Sequence, residues 1–480
     1  NWLLLLSSLS RGILLFHSLL HIAHYLESHI VHHNSYASVS MQSFQGLQAG
    51  EYKGAKRVKI ASGLTSFPDE ILQLSETLEI LDLSGNQLSS LPEAIKELSH
   101  LKIAFFSDCN FTTFPKQLAQ CSALEMVAFK GNGMTTVPEG SFPPNLRWLI
   151  LTNNRITSLP ASIGSCHRLQ KCMLAGNQII SIPDEMAQCK KVGLLRLSCN
   201  KITSLPSWLF TLPELAFLAF AGNPCAPSFA DNPSLDEIHW TDISVDKLLG
   251  EGASGIISQG VWQRAAEATD VAVKLFKGEV TSDGAPADEM NACITAGQHD
   301  NLISPLGSIH GHPEKRGLVL QLIPPHYTNL GLPPTLQTCT RDSFPEGTIF
   351  SVEKVKNILK SIAAAAAHIH ARGIAHGDLY AHNILNEDAG HALLGDFGAA
   401  TIYGRDHAYA EDAEKLEVLA FGHLIEDMLS LVDRKVDGGV LEEKDGYAIA
   451  ALEELHEDCT RRDVRERPMF ASILAVLEGL

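Results

Sequence analysis

The sequence has 480 residues, which is enough for two or three domains with separate hydrophobic cores. Hydrophobic residues make up 45% of the chain and charged residues 19%, and these proportions exclude a predominantly disordered protein. The 37 Lys and Arg residues against 55 Asp and Glu residues give a net charge of −18, so we expect no binding to nucleic acid and no attraction to an anionic membrane through bulk charge.

The N-terminal residues 1–57 have no clear status. Short apolar runs alternate there with an arginine and several histidines, whereas a signal peptide or a transmembrane helix requires an uninterrupted apolar run. Three of the histidines share one helical face, but no carboxylate or thiol accompanies them, so we do not expect a metal site. A membrane anchor within residues 1–30 stays open as an alternative, and Met41 is a candidate start of the protein.

From about residue 58 the sequence repeats. The frame L-x-x-L-x-L-x-x-N-x-L-x-x-L-P, with units 22 or 23 residues long, starts at Leu78, Leu101, Leu124, Leu146, Leu169, Val192 and Leu215. A proline closes most units, which excludes a series of amphipathic helices. The frame resembles the leucine-rich repeat family. This resemblance implies an α/β solenoid in which each unit supplies a short strand and neighbouring units share one core.

The third and fifth positions of each unit point away from that core, onto one concave face. In the central repeats this face is mainly apolar, with Ile103, Phe105, Met126, Trp148, Ile150 and Met173. Such a patch is unusual on a free surface, since aromatic residues and methionine are common at interfaces. We therefore expect it to bind a protein or peptide partner, or the chain's own C-terminal domain. The alternative is that a neighbouring segment covers it.

Ten cysteines are spread along the chain without any C-x-x-C pair, which argues against a zinc site or a disulfide framework. Cys121, Cys166 and Cys189 occupy a repeat position that holds leucine in other units, so we expect them to be small buried side chains. Cysteines of this kind favour a reducing compartment, and we expect a cytoplasmic protein.

The composition changes after the last repeat. Residues 226–242 contain several prolines and form a predicted linker. We therefore divide the chain into an N-terminal segment over 1–57, repeats over 58–225, this linker, and a further domain over 243–480.

The further domain opens with a glycine pattern, G-x-G-x-x-G, at Gly250, Gly252 and Gly255. Glycines allow a backbone to close over phosphate groups. A dinucleotide-binding turn has the same spelling but requires a helix at the glycines. Here β-branched residues follow at 256–257, which favours a hairpin.

A lysine and a later polar cluster supply candidate chemistry. Lys274 lies in an otherwise apolar strand, where a cation is costly unless it meets an anion. Further along, H-x-D-L-x-x-x-N and D-F-G place Asn383 five residues after Asp378 and Asp396 eighteen residues after it. This spacing suits a base and two magnesium ligands in phosphoryl transfer.

In this order, the motifs resemble those of the protein-kinase family. The resemblance implies an α+β, two-lobed, protein-kinase-like domain that uses ATP and Mg²⁺. It implies that Asp378 accepts or orients the proton of the acceptor hydroxyl and that Asn383 and Asp396 hold magnesium. Lys274 would contact the phosphates, with Glu289 as its partner on a helix.

The same resemblance assigns the remaining nucleotide contacts. They are the glycines of the loop, Ala272 beside the lysine, and Leu320 as the gatekeeper before the adenine-binding hinge. Asp288 and Glu279 are alternative partners for the lysine. A long alanine-rich helix over 352–370 would precede the catalytic loop.

The sequence departs from the family at several positions. Gly377 replaces the arginine on which a phosphorylated activation loop docks. Tyr380 and His382 stand where kinases place a Lys or Arg that assists the transferred phosphoryl group. Only residues 399–416 separate the D-F-G motif from the next helix, and the A-P-E motif is missing, which leaves little platform for a peptide substrate.

Two functions from different classes follow. The first is an ATP-dependent protein kinase of the serine/threonine type whose repeats recruit a protein partner or substrate. The alternative is a pseudokinase scaffold in which the repeats carry the function, and transfer to a small molecule is a third possibility. The complete set of Lys274, Asp378, Asn383 and Asp396 favours the enzyme.

Overall fold

The computed structural model describes residues 42–227, 235–252, 254–264, 267–278, 280–434 and 442–480. The sequence predictions for residues 1–41, and the Glu279 alternative, lie outside these ranges. The described residues fall into two compact units. The repeat unit contains residues 42–226 together with 280–284, and the C-terminal unit contains the remainder.

The repeat unit begins with helix α1, Phe44–Gln48, and continues as a single parallel sheet of eight short strands that follow one another in chain order. The strands are β1 (Arg57–Lys59), β2 (Ile80–Asp82), β3 (Ile103–Phe105), β4 (Met126–Ala128), β5 (Trp148–Ile150), β6 (Lys171–Met173), β7 (Leu194–Arg196) and β8 (Phe217–Ala219). Strands β2 to β8 belong to the seven repeats read from the sequence, and β1 is the incomplete leading turn.

Most repeats return to the next strand through a short 3₁₀ helix. These helices span Asp69–Leu74, Glu93–Glu97, Lys116–Gln120, Ala161–Ser165, Asp184–Gln188 and Ser207–Thr211. Each is preceded by a proline with φ between −74° and −66°. Proline is suited to this position because its ring fixes φ near −65° and no N–H donor is lost inside the helix.

In six of the seven repeats, an asparagine side chain binds backbone groups of the repeat before it. For example, Asn154 donates from Nδ2 to the carbonyl oxygens of Phe129 at 2.8 Å and Leu151 at 2.9 Å, and its Oδ1 accepts from the Met134 N–H at 2.9 Å. In the one repeat where Cys109 replaces asparagine, the thiol contacts the Leu83 carbonyl oxygen at 3.4 Å. A single side chain therefore satisfies backbone groups of two adjacent repeats.

The residue before this asparagine has a left-handed backbone in every repeat. The seven residues are Gly85, Asp108, Gly131, Asn153, Gly176, Cys199 and Gly222, with φ between 52° and 74°. Glycine adopts this conformation at no steric cost, whereas other L-residues are strained by contact of Cβ with the carbonyl group. Four of the seven repeats accordingly use glycine at what we call the turn position.

The structure confirms the prediction for the repeat cysteines. Cys121, Cys166 and Cys189 are 2%, 3% and 0% exposed. Burial raises the pKa of Cys121 and Cys189 to about 11, because the apolar core disfavours the thiolate. These thiols pack as small apolar side chains.

Most of the apolar concave patch is buried, and its sixth residue, Met173, is half-buried. Ile103, Phe105, Met126, Trp148 and Ile150 are at most 9% exposed. Binding of a partner there remains a prediction.

The smaller lobe of the C-terminal unit is a six-stranded sheet with one helix. Its elements are β9 (Glu237–His239), β10 (Ile243–Glu251), β11 (Gly255–Gln263), β12 (Ala268–Phe276), helix α2 (Pro286–Ala296), β13 (Pro305–His310) and β14 (Gly317–Gln321). The strand order is β10-β11-β12-β14-β13-β9, antiparallel except for the β13 and β9 pair. Strand β9 lies within the stretch predicted as a linker.

The larger lobe is mainly helical. Its elements are β15 (Thr328–Asn329), α3 (Val352–His370), β16 (Ile374–Ala375), β17 (Ile384–Asn386), β18 (Ala392–Leu394), β19 (Thr401–Ile402), α4 (Ala410–Ser430), α5 (Glu443–Cys459) and α6 (Phe470–Glu478). Helix α3 has the bounds expected from the sequence, with Ser351 as a side-chain cap that accepts from the Lys354 N–H. Among the helices of the described ranges, none has both the length and the apolar character needed to cross a bilayer.

Candidate active site

The glycine pattern forms a hairpin between β10 and β11, as its β-branched residues predict. The two strands are antiparallel with Gly250 opposite Ile257, and the Gly252 N–H donates to the Gly255 carbonyl oxygen at 2.7 Å. A Cβ atom on Gly255 would lie 2.7 Å from the Leu275 carbonyl oxygen, closer than such contacts occur. Only glycine fits at this position, and the dinucleotide-type turn is excluded.

Ala272 and Leu320 lie opposite one another on β12 and β14. They are 7% and 8% exposed and belong to one apolar cluster, against which Leu249 and Ile257 of the hairpin pack. The two residues predicted to contact adenine are thus brought together beneath the glycine hairpin. The surface they form is apolar, as the flat face of a base requires.

Lys274 forms an ion pair with Glu289, the partner that the sequence favoured. Glu289 is 2% exposed and lies in the first turn of α2, which starts with Pro286 at its first position. Burial acts to lower the pKa of Lys274, but the carboxylates of Glu289 and Asp396 outweigh it, so its pKa lies above the usual value. The lysine is therefore a fixed cation with the charge of Asp396 nearby.

The catalytic loop places Asn383 against Asp378. The Asn383 Nδ2 donates to the backbone carbonyl oxygen of Asp378 and to its carboxylate Oδ2, both at 2.9 Å. Asp396 has a left-handed backbone with φ of 57°, and its Oδ1 accepts from the Gly398 N–H at 3.1 Å. Its side chain is exposed, whereas Asn383 is 6% exposed.

A buried carboxylate on α4, that of Glu417, binds the backbone of the catalytic loop. Glu417 accepts from the backbone N–H of His376 at 3.0 Å, from that of Gly377 at 2.6 Å, and from His370 Nε2 at 2.6 Å. Its burial acts to raise the pKa, but the hydrogen bond and charge of His370 outweigh it, so the pKa of Glu417 lies below its usual value. Glu417 is therefore ionised and fixes the backbone of the loop.

His376 and Phe397 have a structural role beside the site. The His376 ring is fully buried, its Nε2 donates to the Gly395 carbonyl oxygen at 2.9 Å, and its centroid lies 5.1 Å from that of Phe397. Together they join the catalytic loop to the turn that carries Asp396.

Gly377 has a φ of 72°. An arginine with this backbone conformation would be strained, whereas glycine is not. The departure from the family pattern at this residue thus has a conformational consequence as well as the loss of a docking cation.

One supporting residue was not found from the sequence. Asp342, in the connection between β15 and α3, accepts from the Ala381 N–H and from His382 Nδ1 at 2.8 Å. Burial acts to lower the pKa of His382, but the Asp342 carboxylate, with Asp378 and Asp396, raises it above its usual value. Asp342 lies in an irregular segment without periodicity, so the sequence held no spacing signal for it.

The donor set fits a nucleotide with magnesium. Asn383 and Asp396 present an amide and a carboxylate, and Mg²⁺ prefers such oxygen ligands. Within the described ranges no cluster of three or more His, Cys, Asp or Glu side chains suits a metal. Magnesium bound through nucleotide phosphates needs only one or two protein ligands, so this pair is sufficient.

Comparison with protein families agrees with this geometry. Residues 243–421 match the model of the family described as protein tyrosine and serine/threonine kinase. Residues 77–98 and 145–166 match the leucine-rich repeat model. The family description includes both kinds of hydroxyl acceptor, so it does not distinguish between them.

Three individual relatives show the similarity of this chain to known proteins, each at low identity. Ephrin type-A receptor 8 of Homo sapiens is 24% identical over 308 residues, which cover 56% of this chain and 29% of the receptor. Tyrosine kinase receptor Cad96Ca of Drosophila melanogaster is 26% identical over 314 residues, covering 54% of this chain and 39% of the receptor. Cyclin-dependent kinase 2 of Caenorhabditis elegans is 27% identical over 156 residues, covering 32% and 39%. The match spans well under half the length of each of these three relatives.

The repeat sheet, the hairpin, the lysine pair and the catalytic loop each agree with the family matches in the same part of the chain. This chain therefore combines leucine-rich repeats with a protein-kinase domain.

Proposed function

We propose that this protein is an active, ATP-dependent protein kinase of the serine/threonine type. The observation that carries the proposal is the assembled state of the site. Lys274 is paired with Glu289, and Asp378 is held by Asn383 within one hydrogen-bonded loop. The pair of lysine and glutamate is needed for phosphoryl transfer, and the aspartate of the catalytic loop is the residue that receives the proton of the acceptor hydroxyl.

Each residue has a defined task in this proposal. The Asp378 carboxylate accepts or orients the proton of the acceptor hydroxyl, and its Oδ2 is aligned by the Asn383 amide. Lys274 and the backbone N–H groups of the glycine hairpin neutralise charge on the phosphates. Asn383 and Asp396 would hold Mg²⁺, which supplies further neutralisation of the phosphate oxygens when it is bound.

His382 takes part of the role that kinases give to a Lys or Arg beside the transferred group. Asp342 holds its ring at 2.8 Å and favours the imidazolium form.

The acceptor in this proposal is a protein hydroxyl group. Because the family includes tyrosine kinases as well, the preference for serine or threonine is tested with Ser, Thr and Tyr substrates.

The repeats recruit the protein partner or substrate in this proposal, as repeat solenoids commonly do. We place the protein in the cytoplasm, because the cysteines of the repeat column, Cys121, Cys166 and Cys189, pack as buried thiols and a reducing compartment keeps such thiols reduced.

The test is transfer of radiolabelled phosphate from Mg-ATP to the protein itself and to generic Ser, Thr and Tyr acceptors. Asp378→Asn is expected to lower the rate by about 10²–10⁴-fold, the usual contribution of an acid or base group, while nucleotide binding persists. Asp388→Asn, at an exposed position in the same lobe, serves as the matched control and should leave the rate unchanged.

The second candidate is a pseudokinase scaffold. The short connection between β19 and α4 favours it. Helix α4 begins at Ala410, so the connection leaves little platform for a peptide substrate. If the wild-type protein and Asp378→Asn bind nucleotide but transfer no phosphate to any acceptor, the scaffold replaces the kinase. Transfer to a small molecule alone would instead show a different phosphotransferase.

A further inference from the structure

The repeat unit contains a short segment that is remote in the sequence. Residues 280–284 belong to this unit, although they connect strand β12, which carries Lys274, to helix α2, which carries Glu289. The connection that precedes the glutamate is thus held as part of the repeat solenoid.

A buried charge on the repeats meets this segment. Arg196, at the end of β7, donates from Nε to Asp283 Oδ1 at 2.7 Å, and the two side chains are 1% and 15% exposed. A guanidinium this deeply buried is costly unless a carboxylate accompanies it. Asp283 supplies that carboxylate, so the pair specifies where the segment lies.

Two further repeats complete the contact. Asn153 donates from Nδ2 to the Val280 carbonyl oxygen at 2.8 Å. It occupies the turn position, where four of the other repeats have glycine and therefore no side chain to donate. At Gly176, the turn position of the next repeat, a Cβ would clash with Asn153 Oδ1 and lie 3.2 Å from Val280 Cγ1, so glycine leaves room both for the asparagine donor and for the valine.

The segment is itself a defined turn. Thr281 is 9% exposed, its Oγ1 donates to the Gly284 carbonyl oxygen at 3.0 Å, and the same oxygen accepts from the N–H groups of Asp283 and Gly284, each at 3.2 Å. Helix α2 begins two residues later, at Pro286, and its first turn carries Glu289. Little free chain separates the anchored turn from the glutamate.

We propose that three consecutive repeats bind residues 280–284 as an internal ligand, and that this anchoring holds α2 where Glu289 pairs with Lys274. The recognition elements are the Asn153 donor, the space at Gly176 and the Arg196 charge, and the ligand is a short acidic turn of the same chain. Its consequence for catalysis rests on the proposed kinase function, whereas the anchoring does not.

The test uses the full-length chain and two variants that preserve local geometry. Asp283→Asn removes the charge without changing the size of the side chain. Asn153→Gly removes the donor at a position where other repeats tolerate glycine with the same positive φ. Hydrogen exchange of the α2 amides is expected to accelerate about tenfold in each variant, as the helix opens locally more often.

Matched controls are Asp270→Asn, an exposed aspartate at β12, and Arg155→Gln, an exposed arginine of the repeats. Neither should change exchange in α2. The proposal is overturned if Asp283→Asn leaves α2 exchange at the wild-type rate, or if exchange rises equally throughout both units, which would indicate global destabilisation.

Activity gives a second, separable readout. Asp283→Asn is expected to lower kcat/KM for ATP about tenfold, in parallel with the change in exchange. The double variant Arg196→Asp with Asp283→Arg exchanges the two charges. Its α2 exchange rate and its kcat/KM for ATP should lie closer to the wild-type values than those of either single variant. If α2 exchange accelerates in the variants but the wild-type protein transfers no phosphate, the kinase proposal is rejected and the anchoring is retained. If the variants keep full activity and wild-type exchange rates in α2, the anchoring alone is rejected.

Discussion

At the scale of single residues, the site depends on carboxylates that hold backbone N–H groups. Glu417 is the deepest of them, at 2% exposed, and its two oxygens receive the His376 and Gly377 N–H groups as well as the His370 ring. A buried carboxylate is tolerated here because every lone pair that faces the loop meets a donor.

We expect Glu417→Gln to lower the free energy of unfolding of the C-terminal unit by ~3 kcal/mol at pH 7, since an amide NH₂ would face N–H donors in place of an oxygen. The pKa of Glu417 is lowered on folding, so its contribution is complete above the unfolded pKa of ~4.3 and is lost as the pH falls through the folded value. The difference between wild type and variant should therefore narrow below pH ~4 in urea titrations.

Glu411→Gln, at an exposed position on the same helix, should change stability by no more than ~0.5 kcal/mol. An equal effect of the two substitutions would contradict the role given to Glu417.

The sequence reached some of these residues and missed others. Lys274 and Asp378 stand in motifs whose spacing reflects their chemistry, and the structure brings their neighbours together. Asp342 and the Arg196 and Asp283 pair have no such spacing, because their partners are remote in the chain. Contacts of this type depend on tertiary packing, which a single sequence does not display.

At the scale of elements, the repeats were readable because each unit repeats the same local physics. A leucine, an asparagine and a proline recur at fixed intervals in most units. In the structure the leucine lies in or beside the short strand, the asparagine bonds to the neighbouring repeat, and the proline precedes the 3₁₀ helix. Strand β9, with three residues, was not readable, because its pairing with β13 has no local periodicity. The predicted domain boundaries beside it remain predictions.

The turn position offers a test at this scale. Gly85→Ala places a Cβ where the nearest atom is the Ala61 Cβ at 3.9 Å, an ordinary contact, while the backbone φ of 74° disfavours any L-residue. We expect a loss of ~1–2 kcal/mol in the stability of the repeat unit, caused by backbone strain alone.

Gly446→Ala, in open space on helix α5, should instead raise the stability of the C-terminal unit by ~0.5–1 kcal/mol, because alanine is the better helix former. Chemical denaturation, followed separately for each unit, measures whether each substitution lowers or raises the free energy of unfolding. A stabilising effect of Gly85→Ala would show that the turn does not require the left-handed conformation.

At the scale of the whole molecule, stability is divided between two compact units with different organisation. The repeat unit is a linear stack, in which each repeat is stabilised by its neighbours. The C-terminal unit has a two-lobed fold with long-range strand pairing. A defect in one asparagine therefore affects a stack of repeats and not a single site.

We expect Asn132→Ala to lower the melting temperature of the repeat unit by ~6 °C. The variant loses donors to the carbonyl oxygens of Phe106 at 2.8 Å and Lys130 at 3.2 Å and an acceptor for the Phe111 N–H at 3.0 Å, which together cost ~2–3 kcal/mol. Differential scanning calorimetry measures the shift.

Asn110→Ala is the matched control, because Asn110 is exposed and its side chain donates to the Gln87 carbonyl oxygen at a long distance of 3.4 Å. It should move the transition by less than ~1 °C. Equal shifts of the melting temperature for the two variants would show that the hydrogen bonds of the buried repeat asparagines do not stabilise the repeat unit.

The contact of three consecutive repeats with residues 280–284 also restricts how this gene can lengthen or shorten. A whole repeat added before β5 leaves Asn153, Gly176 and Arg196 adjacent. A repeat inserted between β5 and β7 separates them by one more strand spacing of ~4.8 Å, beyond the reach of a hydrogen bond. We therefore expect related chains that keep this contact to vary in repeat number before β5, and not between β5 and β7.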